Sequence, residues 1–382
     1  MKIIFFISSL NKGGAQRVIV NLANNFAKLG HDVGIITLAS KKIDSFSLNP
    51  LIKRIELDLV SKNIGINKFI ANYKRLSVLR QTLKSENPDV VVAFIQSNIV
   101  LAILASIGLP VLVFGSERNY PPSEKSVNIL WKVFRKLLYR FATGHIVQTE
   151  KTKIWLSSYT SAKNINIIPN SVVWPIPDSK PYVDPFSVLS LDRKVVLAVG
   201  TKFKQKGFDL LVYAFSEVSK NHQDWDLVII GIDPMIDKKN NINESIQYLA
   251  ENLNVSNRIY LPGQVGNLED WYNRADLFIL SSRYEGFPNV LIEAMACGCP
   301  SIAFDCNTGP REIIDNGING LLIPNNDIEK LKIKMHELML DKVLRKKISL
   351  KAIKIKDKFS DNSITAEWLK VFQKSLDINL KN

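Results

Sequence analysis

The sequence predicts an α/β chain of two doubly wound domains, each a parallel sheet wrapped by helices. Three observations predict it. Strand-like and helix-like segments alternate from Lys2 onward. Several strand segments, such as VVVAF at 90–94, are continuous apolar runs without in–out alternation, as in a sheet covered on both faces. The rhythm stops once, at NIIPNSVVWPIPDSKPYVDP (166–185) with its five prolines, and then restarts. A length of 382 residues accommodates two such domains.

The elements follow in order. KIIFFIS reads as a strand. GGAQRVIVNLANNFAKLG reads as a helix, apolar at helical spacing and stopped by Gly30. HDVGIITLA is the next strand. From Val90 to Ser116 no residue is charged, a stretch long enough to cross a bilayer. Gln96-Ser97-Asn98 and Gly108-Leu109-Pro110 interrupt it, so a buried strand–helix–strand unit is expected instead. GHIVQTE closes the first series. The second runs KVVLAVG, FDLLVYAFSEVSKNH, WDLVIIG, a helix around ESIQYLAENLNV, RIYLPG, LEDWYNRA, DLFILSS, NVLIEAMACG, PSIAFD and NGLLIP. SITAEWLKVFQKSL is a final helix. The expected limits are a first domain over 1–175, a Pro-rich linker over 176–190 and a second domain over 191–358. The helix within 359–382 is expected to pack back on the first domain. Two such sheets facing each other leave a central cleft at their C-terminal strand edges, where open α/β sheets bind ligands.

Composition excludes several classes. Hydrophobic residues make up 46% and charged residues 23%, which is globular, not disordered. Cys297, Cys299 and Cys306 are too few for a disulfide scaffold; they read as small side chains around a helix end in a reducing compartment. The four histidines are scattered and form no metal-ligand spacing. The N-terminal apolar stretch is short and lacks a cleavage site, so it reads as a buried strand, not a signal peptide.

Charge is uneven. Of the net +14, residues 1–185 carry +13, with 24 Lys and Arg against 11 Asp and Glu. Two segments concentrate it. Residues 66–84 contain Lys68, Lys74, Arg75, Arg80 and Lys84; residues 129–141 contain Lys132, Arg135, Lys136 and Arg140 among Trp131, Phe134, Leu137, Leu138 and Phe141. The second has the composition of an amphipathic helix lying on an anionic membrane surface; a core helix with a solvated basic face has it too. No nucleic-acid-binding motif accompanies the charge, and no nucleic-acid partner is expected.

Three motifs carry chemistry. Lys12-Gly13-Gly14-Ala15 joins the first strand to the first helix, where glycines admit a ligand and helix amides face an anion. It is not a dinucleotide fingerprint. Gly200-Thr201-Lys202-Phe203-Lys204-Gln205-Lys206-Gly207 crowds three cations at a strand end, which suits a diphosphate. Ser282-Arg283-Tyr284-Glu285-Gly286-Phe287-Pro288-Asn289-Val290-Leu291-Ile292-Glu293 presents a carboxylate on a loop, helix-terminal amides over 286–291, and a second carboxylate in the helix. A nucleotide-sugar needs such acceptors and donors. Capping or ion pairing of the two glutamates is the structural alternative.

Glu285 and Glu293 form the E-x7-E of the retaining GT-B glycosyltransferases of family 4, and most of the chain resembles that family. GGAQRVIVNLANNFAKLGHDVGIIT resembles its opening strand, loop and helix. IIPNSV, VGTKFKQKGFDLLVYAF, NRADLFILSSRYEGFPNVLIEAMACGCPSIAFD, GPREII and NGINGLLIP resemble later segments. The resemblance implies that Lys206 contacts the donor diphosphate and that Glu293 holds the ribose hydroxyls. It implies that Glu285 and the backbone of Gly286, Phe287, Asn289, Val290 and Leu291 surround the sugar and phosphates, with Pro288 shaping the loop. Gly14 is implied to let the acceptor-side loop approach. No metal and no cofactor are implied; lysine and helix dipole do the electrostatic work.

Two departures stand out. Thr201 occupies a place where the family usually has Arg, so Lys202 or Lys204 is left to substitute at the phosphates. Ser116-Glu117-Arg118-Asn119 stands where many members carry a histidine; this version resembles members that extend lipid-linked or surface polysaccharides and makes Glu117 and Arg118 catalytic candidates. The expected activity is retaining hexosyl transfer from a nucleotide-sugar, a UDP-sugar by preference, to a glycan on a polyprenyl diphosphate. The enzyme is expected in the cytoplasm, peripherally bound to the inner face of the membrane. A GT-B epimerase or a synthase acting on soluble sugars is the alternative, and a non-enzymatic binding module is a further one.

Overall fold

A computed structural model describes residues 1–11, 13–60, 68–123, 128–233 and 245–379. Two compact units appear: residues 1–171 with 361–382, and residues 172–360.

The first unit holds a seven-stranded sheet: β1 (Lys2–Ile7), β2 (Asp32–Thr37), β3 (Lys53–Glu56), β4 (Val90–Phe94), β5 (Leu112–Ser116), β6 (Gly144–Val147) and β7 (Ile165–Ile167). The order is β3-β2-β1-β4-β5-β6-β7, every pair parallel. β4 and β5 are buried along their whole length, which explains their unbroken apolar sequences. The helix Gly14–Lys28 buries Val18, Ile19, Leu22, Ala23 and Phe26, the stripe its spacing predicts. The helix Asp361–Asn379 belongs to this unit. Its Trp368 and Phe372 are fully buried. Trp368 stacks on Phe94 at 6.4 Å, and Phe372 meets Phe114 at 5.1 Å and Phe26 at 6.0 Å between ring centroids. Burying an aromatic side chain of this size stabilises by about 2–3 kcal/mol, which ties the end of the chain to its beginning.

The second unit holds six parallel strands: β8 (Lys194–Val199), β9 (Trp225–Ile230), β10 (Ile259–Gly263), β11 (Leu277–Leu280), β12 (Ser301–Asp305) and β13 (Leu321–Pro324), in the order β10-β9-β8-β11-β12-β13. Helices Phe208–Val218 and Ile328–Leu340 supply Leu211, Phe215, Leu331 and Met335 to its core.

The proline-rich stretch is not a free linker. The units change over at 171/172, and residues 176–183 are strapped to the second unit. The Ile176 amide donates to Glu269 (2.7 Å), the Ser179 amide to the Gly266 carbonyl (3.0 Å) and the Val183 amide to Asn267 Oδ1 (3.0 Å). Prolines fix this segment as extended chain, and its remaining amides find partners on the surface it crosses.

In each sheet the strand order reverses once, between β1 and β4 and between β8 and β11. Loops leaving the C-terminal ends of those strands diverge there, and that is where this fold class binds ligands.

Candidate active site

In the second unit, the loops after β8 and β11 leave from the switch point and are stitched together. Residues Phe203–Lys206 form one helical turn, closed by Gly207 at φ +62°. Only glycine fits: a Cβ there would stand 2.1 Å from the Ser281 carbonyl oxygen. Ser281 Oγ donates to the Lys206 carbonyl at 2.8 Å, and the Arg283 amide donates to the Gln205 carbonyl at 2.8 Å. The Arg283 guanidinium forks onto Asp209 at 2.8 and 2.7 Å, a planar bidentate match. A Cβ on Gly200 would meet the Lys206 stem within 3 Å, so glycine there lets the lysine fold back over the strand end.

The two predicted charges of opposite sign meet. Lys206 Nζ donates to Glu285 Oε1 at 2.7 Å, and Ser282 Oγ donates to the same oxygen at 2.6 Å. Glu285 is 8% exposed. Its backbone carbonyl accepts from Thr308 Oγ1 at 2.5 Å, which fixes the loop. Glu293 lies one turn into the helix Asn289–Ala296, is buried, and accepts from Tyr272 Oη at 3.1 Å on Oε2. Thr201 and Lys202 are exposed at the end of β8. Phe287 is buried and packs edge-on to Phe359 at 5.6 Å. Gly286, Asn289 and Val290 are half-buried.

Leu291 departs from expectation. Its side chain is fully buried, and its amide donates to the Pro288 carbonyl at 3.0 Å, so it serves the turn that starts the helix. Sequence reading also missed Tyr272, Thr308 and the Arg283–Asp209 fork. LEDWYNRA does place Tyr272 on a helix, but nothing local points it at Glu293. The cysteines are free thiols. Burial, then the Glu285 carboxylate, pushes the Cys306 thiol up to about 12, which removes thiolate chemistry at neutral pH. Among the described residues, no group of three or more His, Cys, Asp or Glu is placed to hold a metal ion.

In the first unit, Gly14 opens its helix at the switch point, exposed and with open space around its Cα. Lys12 lies outside the described residues. Glu117 and Arg118 follow β5 and are both buried, at 3% and 7% exposure. Glu117 Oε1 accepts from Tyr139 Oη at 2.6 Å and stands 3.1 Å from Arg135 Nε. Burial and the Glu117 charge push the Tyr139 phenol well up. Arg118 donates to Asn170 Oδ1 at 2.8 Å and lies over the rings of Phe94 and Trp368 at 4.5 and 5.4 Å. Burial without a paired carboxylate lowers its pKa to about 9. Glu117 thus ties the end of β5 to the helix Ile129–Leu138, and Arg118 packs that end against Phe94 of β4 and Trp368 of the final helix.

The basic segments need correction. Arg135 does not face outward: it is 2% exposed and carries the ion pair with Glu117. Trp131 also turns inward, half-buried against the core, and its carbonyl accepts from Gln96. The outward stripe of the helix Ile129–Leu138 is apolar instead: Ile129, Leu130, Val133, Phe134 and Leu137 are all exposed, and Phe141 continues the stripe. Lys136 and Arg140 are exposed beside it, and Lys132 is half-buried. In the helix Lys68–Glu86, Arg80 donates to the Ala105 and Ile107 carbonyls at 2.9 and 2.7 Å, and Arg75 to the Leu59 carbonyl at 3.2 Å. These two arginines satisfy backbone carbonyls left over at a helix end and a loop. Lys74 is exposed; the side chain of Lys68 lies outside the described residues.

Comparison with known proteins agrees with this architecture. Residues 12–173 match the family described as Glycosyltransferase Family 4, and residues 183–355 match Glycosyl transferases group 1. Two parallel-sheet units carrying these signatures define a GT-B glycosyltransferase. The chain belongs to glycosyltransferase family 4. It is 26% identical, over 97% of its length and 98% of the relative's, to a Campylobacter jejuni α-1,4-N-acetylgalactosaminyltransferase. That enzyme's name gives its acceptor as a GalNAc-containing glycan on undecaprenyl diphosphate. Among solved structures, sucrose-phosphate synthase from Thermosynechococcus elongatus superposes with a TM-score of 0.85 at 18% identity, covering 99% of both chains. HepE from Anabaena, in complex with UDP and glucose, gives 0.78 at 17% identity over 98% of this chain and 100% of that one. These likenesses show the fold.

Proposed function

We propose that this glycosyltransferase moves a hexose or N-acetylhexosamine from a UDP-sugar to a glycan carried on a polyprenyl diphosphate. Transfer retains the anomeric configuration, uses no metal or other cofactor, and serves surface polysaccharide or glycoprotein-glycan assembly. The Lys206–Glu285 pair at the β8/β11 switch point carries the reading. A cation of this kind neutralises the charge that grows on the departing diphosphate, and preorganised charge of that sort is the largest single contribution in many enzymes. The first turn of the helix Asn289–Ala296 adds its dipole. Glu293 takes the ribose hydroxyls, and Glu285 takes the sugar.

In the step itself the anomeric C–O bond to the β-phosphate breaks. A bond from the acceptor hydroxyl oxygen forms on the same face. The hydroxyl proton passes to the leaving phosphate oxygen. Glu117 and Arg118, buried at the end of β5, act as positioning residues for the loop that follows that strand.

The exposed stripe Leu130, Val133, Phe134 and Leu137, flanked by Lys136 and Arg140, supports docking on an anionic membrane, at the inner face of the cytoplasmic membrane. Among the described residues, no helix is long and apolar enough to cross a membrane. The acceptor named for the Campylobacter relative and the UDP bound to HepE support the substrate classes.

A panel of UDP- and GDP-sugars tests the reading, offered with a polyprenyl-diphosphate glycan or with soluble sugar phosphates. The expected result is UDP release with growth of the lipid-linked glycan. Transfer to soluble sugar phosphates alone would favour the synthase alternative. No nucleotide release with any donor would overturn the reading.

A further inference from the structure

We infer that Tyr272 is a positioning residue for nucleoside recognition: it holds Oε2 of Glu293 so that the other carboxylate oxygen meets the donor ribose. This rests on the reading of Glu293 as the ribose-binding carboxylate.

Three observations carry it. Tyr272 is 1% exposed and its hydroxyl lies 3.1 Å from Glu293 Oε2, itself on a buried side chain. The tyrosine ring is set edge-on against Phe278 of β11, with centroids 5.9 Å apart and planes at 71°. Its helix, Leu268–Arg274, is tied down one and three residues before the tyrosine. Trp271 Nε1 donates to the Val183 carbonyl at 3.0 Å, and Glu269 accepts from the Ile176 amide at 2.7 Å.

A glutamate carboxylate swings through three torsions, and ribose recognition needs one of its oxygens at a fixed place. A rigid phenol donor on a helix pinned to the proline-rich stretch, its ring set against β11, removes that freedom before the ligand arrives. A buried phenol and a buried carboxylate also satisfy each other, so neither is left without a partner.

The test compares dissociation constants for UDP and 2′-deoxy-UDP, and also for 3′-deoxy-UDP, by calorimetry on the full chain. The wild type is expected to prefer UDP, by roughly tenfold or more, over at least one deoxy analogue. Glu293→Ala should bring that ratio close to one; if it leaves the ratio intact, the ribose role of Glu293 fails and this inference with it. Given that loss, Tyr272→Phe should lower the ratio by about five- to tenfold, the net worth of one intramolecular hydrogen bond being of that order. The loss should fall on KM for the donor more than on kcat. An unchanged ratio in folded Tyr272→Phe overturns the positioning role alone.

Discussion

Lys206 Nζ and Glu285 Oε1 are 2.7 Å apart, and Ser282 Oγ shares the same carboxylate oxygen at 2.6 Å. The lysine assigned to the donor diphosphate is therefore neutralised by the carboxylate assigned to the donor sugar. When a diphosphate arrives, it competes with Glu285 for the ammonium. Neutralising that carboxylate should release the lysine to the phosphates. Glu285→Gln is expected to bind UDP at least as tightly as the wild type by calorimetry. Its turnover should fall by roughly 10²-fold, the scale of losing one preorganised polar group at a reacting centre. UDP binding weakened more than about tenfold would contradict the competition.

Arg135 and Glu117 form a buried pair, 3.1 Å apart, that fastens the helix Ile129–Leu138 to the end of β5. Removing one partner strands a buried charge. Arg135→Met should destabilise the fold by about 3–5 kcal/mol in urea unfolding. Adding Glu117→Gln to that variant should recover much of the loss. A single variant as stable as the wild type would show that the pair is not holding the helix.

The apolar stripe on the same helix makes a separate prediction. Changing Leu130, Val133, Phe134 and Leu137 together to Ser should abolish flotation with anionic vesicles at ~0.15 M salt, each apolar side chain contributing about 1 kcal/mol or more when inserted. Changing Lys132, Lys136 and Arg140 to Gln should mainly remove the salt dependence, at about 1 kcal/mol per charge. Failure of the wild type to float at any salt would end the membrane part of the account.

His145 is fully buried, and its Nε2 stands 2.9 Å from the Tyr139 carbonyl oxygen. Burial lowers its pKa from 6.5 to about 4. Above pH 6.5 both folded and unfolded chains hold it neutral, and its full contribution to stability is present. As pH falls from 6.5 towards 4, the unfolded chain takes up a proton that the folded chain refuses. Stability therefore drops, by on the order of 3 kcal/mol across that window from this group. Urea midpoints at pH 7.5 and pH 5 should differ in the wild type, and His145→Gln should narrow the difference. An unchanged difference would show that other groups govern the acid response.

Much of this was legible in the sequence, for identifiable reasons. β1, β4 and β8 announced themselves as apolar runs because both of their faces are covered. β3 (KRIE) and β7 (INI) did not: they are the two edge strands of the first sheet, three or four residues long, and both are broken by polar residues. Lys206 and Glu285 stood out because each lies in the loop that follows a strand, and Glu293 because it lies one turn into the helix after that loop. Thr308 and Tyr272 did not, since their partners lie 23 and 21 residues away in sequence. The helix at 129–138 was ambiguous. Trp131, Arg135, Leu138 and Tyr139 share one face, and Leu130, Val133, Phe134 and Leu137 share the other. Spacing alone cannot say which of two apolar stripes meets the core. Burial shows that the face carrying Arg135 does, because Glu117 and Tyr139 wait there to satisfy it.

The most direct test of the central claim is steady-state transfer from a UDP-sugar to a polyprenyl-diphosphate glycan in EDTA, comparing the wild type with Lys206→Ala. The account predicts a longer lipid-linked glycan and stoichiometric UDP from the wild type. It predicts a loss of about 10²-fold or more in kcat for Lys206→Ala, about 3 kcal/mol of transition-state stabilisation, with the fold intact by thermal melting. Wild-type turnover in the folded Lys206→Ala protein would contradict the diphosphate role. Loss of wild-type activity in EDTA, restored by magnesium or manganese, would contradict the metal-free mechanism.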